Sequence, residues 1–314
     1  LLTVKEGGIR EWFLSVAAPL FFIIMKKNID TLIEDIYSLF DLTKKIKLDE
    51  KEITKILNNF GKEMKEHLSE YLFREPTGTS NLRLSSIGRP DRQIWYDLKE
   101  ENKEKLFSPP VRIKFLYGHI LETLLLTLSK LAGHKVTEEQ KEVTIAGVTG
   151  HQDCRIDDFL VDCKSASTAS FKKFENGTLK EQDPFGYIGQ LSAYAEAHGD
   201  KEAGFFVIDK QNGYLTLLKV HEMEMINAED RVKYLKKIVK KNDPPSKCYT
   251  DVPDGSSGNY KLAIGCVYCS HKTKCWSDSN QGHGLRAFRY AKGVRFLTKV
   301  QRVPEVPEVK NVSI

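Results

Sequence analysis

Asp153, Asp162 and Lys164 stand close together in the segment His151-Gln152-Asp153-Cys154-Arg155-Ile156-Asp157-Asp158-Phe159-Leu160-Val161-Asp162-Cys163-Lys164. If Asp157-Asp158 is a two-residue turn, Ile156 pairs with Phe159, Cys154 with Val161, Asp153 with Asp162 and His151 with Lys164. Side chains alternate along a strand, so Cys154, Ile156, Phe159, Val161 and Cys163 share an apolar face. His151, Asp153, Asp162 and Lys164 share the other, and Leu160 alone breaks the pattern. Carboxylates directly opposite across a strand pair lie about 5 Å apart and repel. Each raises the other's pKa unless a cation neutralises them. Mg²⁺ or Mn²⁺ suits such oxygen donors and keeps waters for chemistry. Lys164, on the same side, is placed to orient or deprotonate one of those waters. Taken alone, the segment also reads as the solvated polar face of an edge hairpin.

A third acid stands in an improbable place. Glu122 lies in Phe115-Leu116-Tyr117-Gly118-His119-Ile120-Leu121-Glu122-Thr123-Leu124-Leu125-Leu126, which is apolar on most helical faces. A buried carboxylate needs a partner or a metal; a glutamate at the helix rim reaching water is the alternative. Gly118, one turn earlier, allows close backbone approach. His119 and His151 are nearby, and for each a structural role is the favoured reading.

These residues need a scaffold, and the hydrophobic pattern supplies one. Residues 111–132 have helical spacing and stop at Gly133. Strand-like runs follow at 141–146, 148–156 and 159–165, then a helix over 185–198. Strands at 203–209 and 214–220 flank Gln211-Asn212-Gly213, and a charged helix spans 222–241. Two amphipathic helices, from Asn28 to Leu42 and from Ile53 to Leu72, precede a break at 75–81. The order predicts an α/β fold with a mixed sheet, and no glycine-rich phosphate loop is present. The 314 residues carry 48 basic and 43 acidic side chains, a net +5, with 40% hydrophobic residues. That balance excludes a disordered chain and permits nucleic-acid binding without requiring it.

Several ordered motifs over about 84–220 resemble the RecB-like branch of the PD-(D/E)XK nucleases. The first is Leu84-Ser85-Ser86-Ile87-Gly88-Arg89-Pro90-Asp91-Arg92-Gln93-Ile94-Trp95-Tyr96, with Arg92 and the Trp-Tyr pair in register. Gly118 through Glu122 matches the helix that supplies the first ligand, although many relatives have histidine where this chain has Glu122. Gly150-His151-Gln152-Asp153 matches the first strand acid, and Asp162-Cys163-Lys164 the (D/E)-x-K core. Gln190-Leu191-Ser192-Ala193-Tyr194 matches the family's Gln-x-x-x-Tyr helix. The whole looks closest to phage-encoded members. The resemblance implies a restriction-endonuclease-like core, a mixed central sheet flanked by helices, with N-terminal helices and a C-terminal Cys-rich extension. It implies phosphodiester hydrolysis assisted by Mg²⁺ or Mn²⁺ held by Glu122, Asp153, Asp162 and the Cys163 carbonyl. Lys164 would position the attacking water. Gln190 and Tyr194 would orient the substrate strand or the Lys164 region.

Cys266-Val267-Tyr268-Cys269 followed by Cys275, with Cys248 upstream, supplies four thiols for a zinc site or an iron–sulfur cluster in a reducing compartment. The spacing of the last three resembles the iron–sulfur nucleases of the superfamily. In those, the fourth cysteine lies in the first motif, where this chain has Pro90, and Cys248 is the candidate replacement. Free thiols are the plain alternative, and Cys154 and Cys163 read as core residues. Arg286, Arg289, Lys292, Arg295 and Lys299, interleaved with aromatics, suit a phosphate backbone, as does Arg92. A hairpin over 285–291 and 294–300, turning at Lys292-Gly293, would present the tail cations. A solvated charged face is equally open for them.

The chain divides by this reading into 1–24, upstream of a start at Met25 or else a buried helix; 25–80, helical; 81–245, the nuclease core; and 246–314, the cysteine cluster and basic tail. The apolar stretch 12–25 is short for a membrane span and is interrupted by Pro19. The expected protein is a cytoplasmic, divalent-metal-dependent DNase, an exonuclease on DNA ends or single strands, working with phage replication or recombination proteins. A structure-specific or nicking endonuclease and a non-cleaving nucleic-acid-binding subunit are the rivals.

Overall fold

A computed structural model of the chain describes residues 27–43, 48–73, 81–99 and 109–309. The expectation for residues 1–24 lies outside the described residues. The helices before the sheet are α1 (Leu32–Ser38), α2 (Glu50–Phe73), α3 (Asp91–Lys99) and α4 (Pro109–Leu131). The strands β1 (Val136–Thr137), β2 (Glu142–Ile145), β3 (Val148–His151), β4 (Cys154–Ile156) and β5 (Phe159–Ala166) follow. Then come α5 (Thr168–Glu175), α6 (Tyr187–His198), β6 (Glu202–Asp209), β7 (Leu215–His221) and α7 (Ala228–Val239).

The central sheet has the order β1-β4-β5-β6-β7. β5 and β6 are parallel, and β4 and β7 pair antiparallel on either side. A parallel pair needs a crossover, which α5 and α6 provide. Helices cover both faces. Leu32 and Ile36 of α1 and Leu125 and Leu126 of α4 pack on Cys154, Ile156, Val161, Cys163, Phe206 and Ile208. On the opposite face Leu191 and Ala193 of α6 and Val232 and Leu235 of α7 pack on Leu160, Phe205 and Val207, together with Leu84 and Ile87. Leu160 therefore breaks the alternation because its own face is also covered. Such two-sided burial is why β6 reads as one apolar run. Helix α2 lies along α4 and buries none of its own residues.

The turn at Asp157-Asp158 pairs Ile156 with Phe159 and Cys154 with Val161, as expected. Both turn residues have positive φ, 51° and 70°, the twist a tight hairpin requires. Asp157 holds that strained backbone: its Oδ1 accepts from Lys135 N at 3.0 Å, and its Oδ2 lies 2.6 Å from His134 Nδ1.

The single strand expected over 148–156 is divided between two sheets, with Gln152 and Asp153 between them, and a polar Gln152 occupies an inward position. Its side chain is fully buried, meets His198 Nε2 at 2.5 Å and donates to Glu138 Oε2 at 3.2 Å. β3 then leaves the central sheet to pair with β2, so His151 faces Glu142 rather than Lys164.

Beyond α7 the strands β8 (Val252–Pro253), β9 (Tyr260–Lys261), β10 (Arg286–Tyr290) and β11 (Gly293–Lys299) form a further, four-stranded sheet in the order β10-β11-β9-β8. Helix α8 (Ile264–Val267) and the end of α9 (Lys272–Cys275) pack on it through Cys266 and through Trp276, which caps α9, against Leu262, Ala287 and Phe296. Tyr290 pairs with Gly293, so the tail hairpin turns at Ala291-Lys292, one residue before the expected place. Gly293, at φ 122°, closes it. Among the described residues no helix is long and apolar enough to cross a membrane.

Candidate functional site

The break between β3 and β4 sets the site. It frees Asp153 from the ladder and lets its Oδ2 accept from Cys163 N at 2.7 Å. Asp162 sits mid-strand on β5, fully buried, on the side facing α6. Its Oδ1 accepts from Gln190 Nε2 at 2.9 Å, and its Oδ2 carries an ion pair with Lys164 Nζ. Glu122 projects from α4, and its Oε1 accepts from Gln140 Nε2 at 2.8 Å.

Burial raises the pKa of all three acids to about 7. Asp162 adds to the rise at Glu122, Glu122 to that at Asp153, and Asp153 to that at Asp162. This mutual repulsion marks one shared electrostatic site. Burial would draw Lys164 down, but the charges of Asp162 and Asp153 outweigh it and hold the ammonium protonated well above its ordinary range. Lys164 is thus held as a cation among the three acids.

Helix α6 is seated by close backbone contact. A Cβ on Gly88 would lie 2.2 Å from Gly186 O, and one on Gly189 would lie 2.4 Å from Gly88 Cα. The first motif therefore fixes the start of α6, and with it Gln190. Tyr194, one turn on, is 1% exposed in the core, so it backs the site and cannot meet a substrate strand. Burial, then the charges of Asp162 and Asp153, push its phenol upward. Two contributors went unread in the sequence. Tyr187 lies with its ring 5.3 Å from Lys164 Nζ, and its i, i+3 relation to Gln190 was an available signal. Gln140 comes from a loop, where no periodicity could mark it. His119 stacks on His67 at 5.3 Å, and His151 is exposed beside Glu142, so neither joins the acids.

Among the described residues no group of three or more His, Cys, Asp or Glu side chains is arranged to hold a metal ion. Lys164 and the two carboxamides occupy oxygens that a cation would use. The donor chemistry still fits a hard divalent ion: three desolvated carboxylates whose repulsion a cation would relieve.

The four C-terminal cysteines share the lining of one pocket without forming a close ligand group. Cys248, Cys266, Cys269 and Cys275 line one cavity of about 20 Å³, beside Tyr96, His271 and Trp276. The nearby backbone N–H groups of Arg92 and Gln93 favour the thiolate of Cys248, and that of His271 the thiolate of Cys269. Burial raises the thiols of Cys248 and Cys269, and carries Cys266 to about 11. Cys154 and Cys163 are buried in the core, as expected.

The expected DNA-contacting cations separate into two groups. Arg92 donates to Pro245 O at 2.5 Å and so holds the loop that carries Cys248. Arg286 makes a two-pronged pair with Glu308 at 2.8 and 2.7 Å, and Arg295 bonds Asp254 at 2.9 Å. These three bind the protein to itself. Arg289, Lys292 and Lys299 are exposed.

No protein-family model and no curated protein matches the chain. Solved structures do show similarity. The crystal structure of SSO0001 is 17% identical, with 68% of this chain and 91% of that one covered and a TM-score of 0.40. A phage related exonuclease from Haemophilus somnus is 16% identical over 51% and 90% of the two chains, with a TM-score of 0.35. The alkaline exonuclease LHK-Exo from Laribacter hongkongensis is 16% identical over 49% and 89%, with a TM-score of 0.29.

Proposed function

We propose that this chain is a divalent-metal-dependent deoxyribonuclease of the PD-(D/E)XK type that removes nucleotides from DNA ends. The observation that carries the reading is the Asp162–Lys164 ion pair on β5, with Gln190 on the other Asp162 oxygen and two further acids coupled to it. Glu122, Asp153 and Asp162 would hold Mg²⁺ or Mn²⁺, with the Cys163 carbonyl completing the set. A cation bound there supplies Lewis-acid polarisation of the phosphate and acidifies the attacking water. Lys164 donates to that water and offsets charge developing on the phosphate as water adds and the ester oxygen departs. Gln190 keeps Asp162 turned toward the site. Work within phage replication or recombination, alongside proteins of that process, is part of the same reading.

The test is incubation with circular DNA and with end-labelled linear DNA, with and without Mn²⁺. An exonuclease degrades linear DNA and spares circles. Nicked circles would replace the exonuclease reading with an endonuclease, and retarded but uncut DNA would leave a binding protein.

The four C-terminal thiols form a second, structural metal site in this reading, either zinc or an iron–sulfur cluster. The backbone N–H groups near Cys248 and Cys269 would stabilise thiolates there. Metal analysis of anaerobically purified protein decides it: absorbance near 400 nm indicates iron–sulfur, stoichiometric zinc a knuckle, and neither metal contradicts the site.

A further inference from the structure

Three aromatic rings run from the cysteine segment to Lys164. Tyr187 lies with its ring 5.3 Å from Lys164 Nζ. Phe185 follows at 5.6 Å from Tyr187, inclined by 30°, and Tyr268 at 6.2 Å from Phe185. Exposure grows outward along the run: Tyr187 is partly buried, Phe185 is 45% exposed and Tyr268 63%. An aromatic contact whose work is to fasten two parts of a protein buries its rings, and these two leave much of their surface to water.

The backbone that carries the outer rings is also held in place. Phe185 precedes Gly186, whose backbone is locked against Gly88. Tyr268 stands between Cys266 and Cys269, beside the backbone bond from Cys269 N to Cys266 O at 3.1 Å. Lys164 and Arg89 act electrostatically on Tyr187 from the positive side, and Asp162 and Asp183 from the negative side, so the inner end of the run carries charge of both signs. Neighbouring exposed rings that lead to a lysine match what unpaired nucleobases require. A duplex keeps its base faces stacked and offers them nothing to bind.

We propose that Phe185 and Tyr268 form a stacking platform for unpaired bases, which leads a single DNA strand to Lys164. The proposal rests on the nuclease reading for the fate of the strand, but the platform can be tested apart from cleavage. The probe is an oligothymidylate carrying one 2-aminopurine, whose fluorescence is quenched when its base stacks. It is titrated into Asp162→Asn protein, which holds the probe uncut. The platform predicts quenching on binding. In the Phe185→Leu/Tyr268→Leu double variant, which stays apolar but loses both π-faces, the quenching disappears and single-strand affinity falls by roughly tenfold or more. Duplex affinity changes less than about twofold, and the conservative Phe185→Tyr and Tyr268→Phe variants retain both quenching and affinity. Unchanged quenching and affinity in the leucine variant, with its melting temperature preserved, overturns the proposal. So does an equal loss for single strands and duplex. Wild-type protein that quenches the probe but never cleaves DNA would refute the nuclease reading and leave the platform standing.

Discussion

The Gln190 carboxamide donates to Asp162 Oδ1 at 2.9 Å and ties α6 to β5 at the site. With one oxygen held, the other is turned to Lys164. Replacing Gln190 by alanine frees the carboxylate without removing any of the three acids or the lysine. Outer partners of metal-binding carboxylates typically matter by about 10- to 100-fold. Gln190→Ala should therefore lower kcat for DNA cleavage within that range, with KM nearly unchanged. Cleavage kinetics on linear DNA check this, and wild-type kcat would mean that Asp162 needs no such hold.

Glu122, Asp153 and Asp162 have folded pKa values of about 7, against ordinary values of 4.5, 3.8 and 3.8. Between about pH 4 and 7 the folded protein thus binds more protons at this site than the unfolded chain, so the site's contribution to stability is lost as pH rises through that window. His119 and His198 are lowered by burial, which works in the opposite direction. The contribution of the acids is therefore isolated by comparison with Asp153→Asn. In metal-free buffer, the melting temperature of wild-type protein should fall more between pH 5 and pH 8 than that of the variant. Added Mn²⁺ should raise it at pH 8 and barely at pH 5, since only ionised carboxylates bind the ion.

Gly88 leaves no room for a side chain, because an added Cβ would meet Gly186 O at 2.2 Å. Backbone must move to accept it, and overpacking of this kind costs about 1–3 kcal/mol. Gly88→Ala should lower stability by that amount in chemical denaturation. It should also cut cleavage, since α6 carries Gln190. Normal stability with normal activity would contradict the seating of α6 on the first motif.

Arg289 and Lys292 are exposed, whereas Arg286 is engaged with Glu308. Each phosphate contact removed lowers the slope of log affinity against log salt by about 1. The Arg289→Ala/Lys292→Ala variant should lower that slope by about 2 and leave stability unchanged. Arg286→Ala should leave the slope unaltered and loosen the attachment of the segment around Glu308. Salt titrations of DNA binding separate the two.

Much of this was legible from residue types alone. Alternation over 154–163 gave the hairpin register and its apolar face, and the misplaced charge at Glu122 marked the third acid. The break at Gln152 was not legible, because a buried glutamine satisfied by Glu138 and His198 leaves no trace in a period-two pattern. The same holds for Arg92, Arg286 and Arg295, whose partners lie far away in sequence. A cation paired within the protein and one waiting for phosphate look alike along the chain. Tyr194 shares a helix with Gln190, but its depth is set by packing on Gly150 and Leu84, and only the assembled layers reveal that.

The central claim is that Asp162 and Lys164 belong to a working hydrolytic site. The measurement that addresses it most directly is Mn²⁺-dependent release of nucleotides from end-labelled linear DNA by wild-type, Asp162→Ala and Lys164→Ala proteins, each first shown to be folded. The account predicts rapid release by wild type and a loss of at least roughly 100-fold in both variants. Wild-type protein without Mn²⁺-dependent cleavage, or either variant cutting at the wild-type rate, would contradict it.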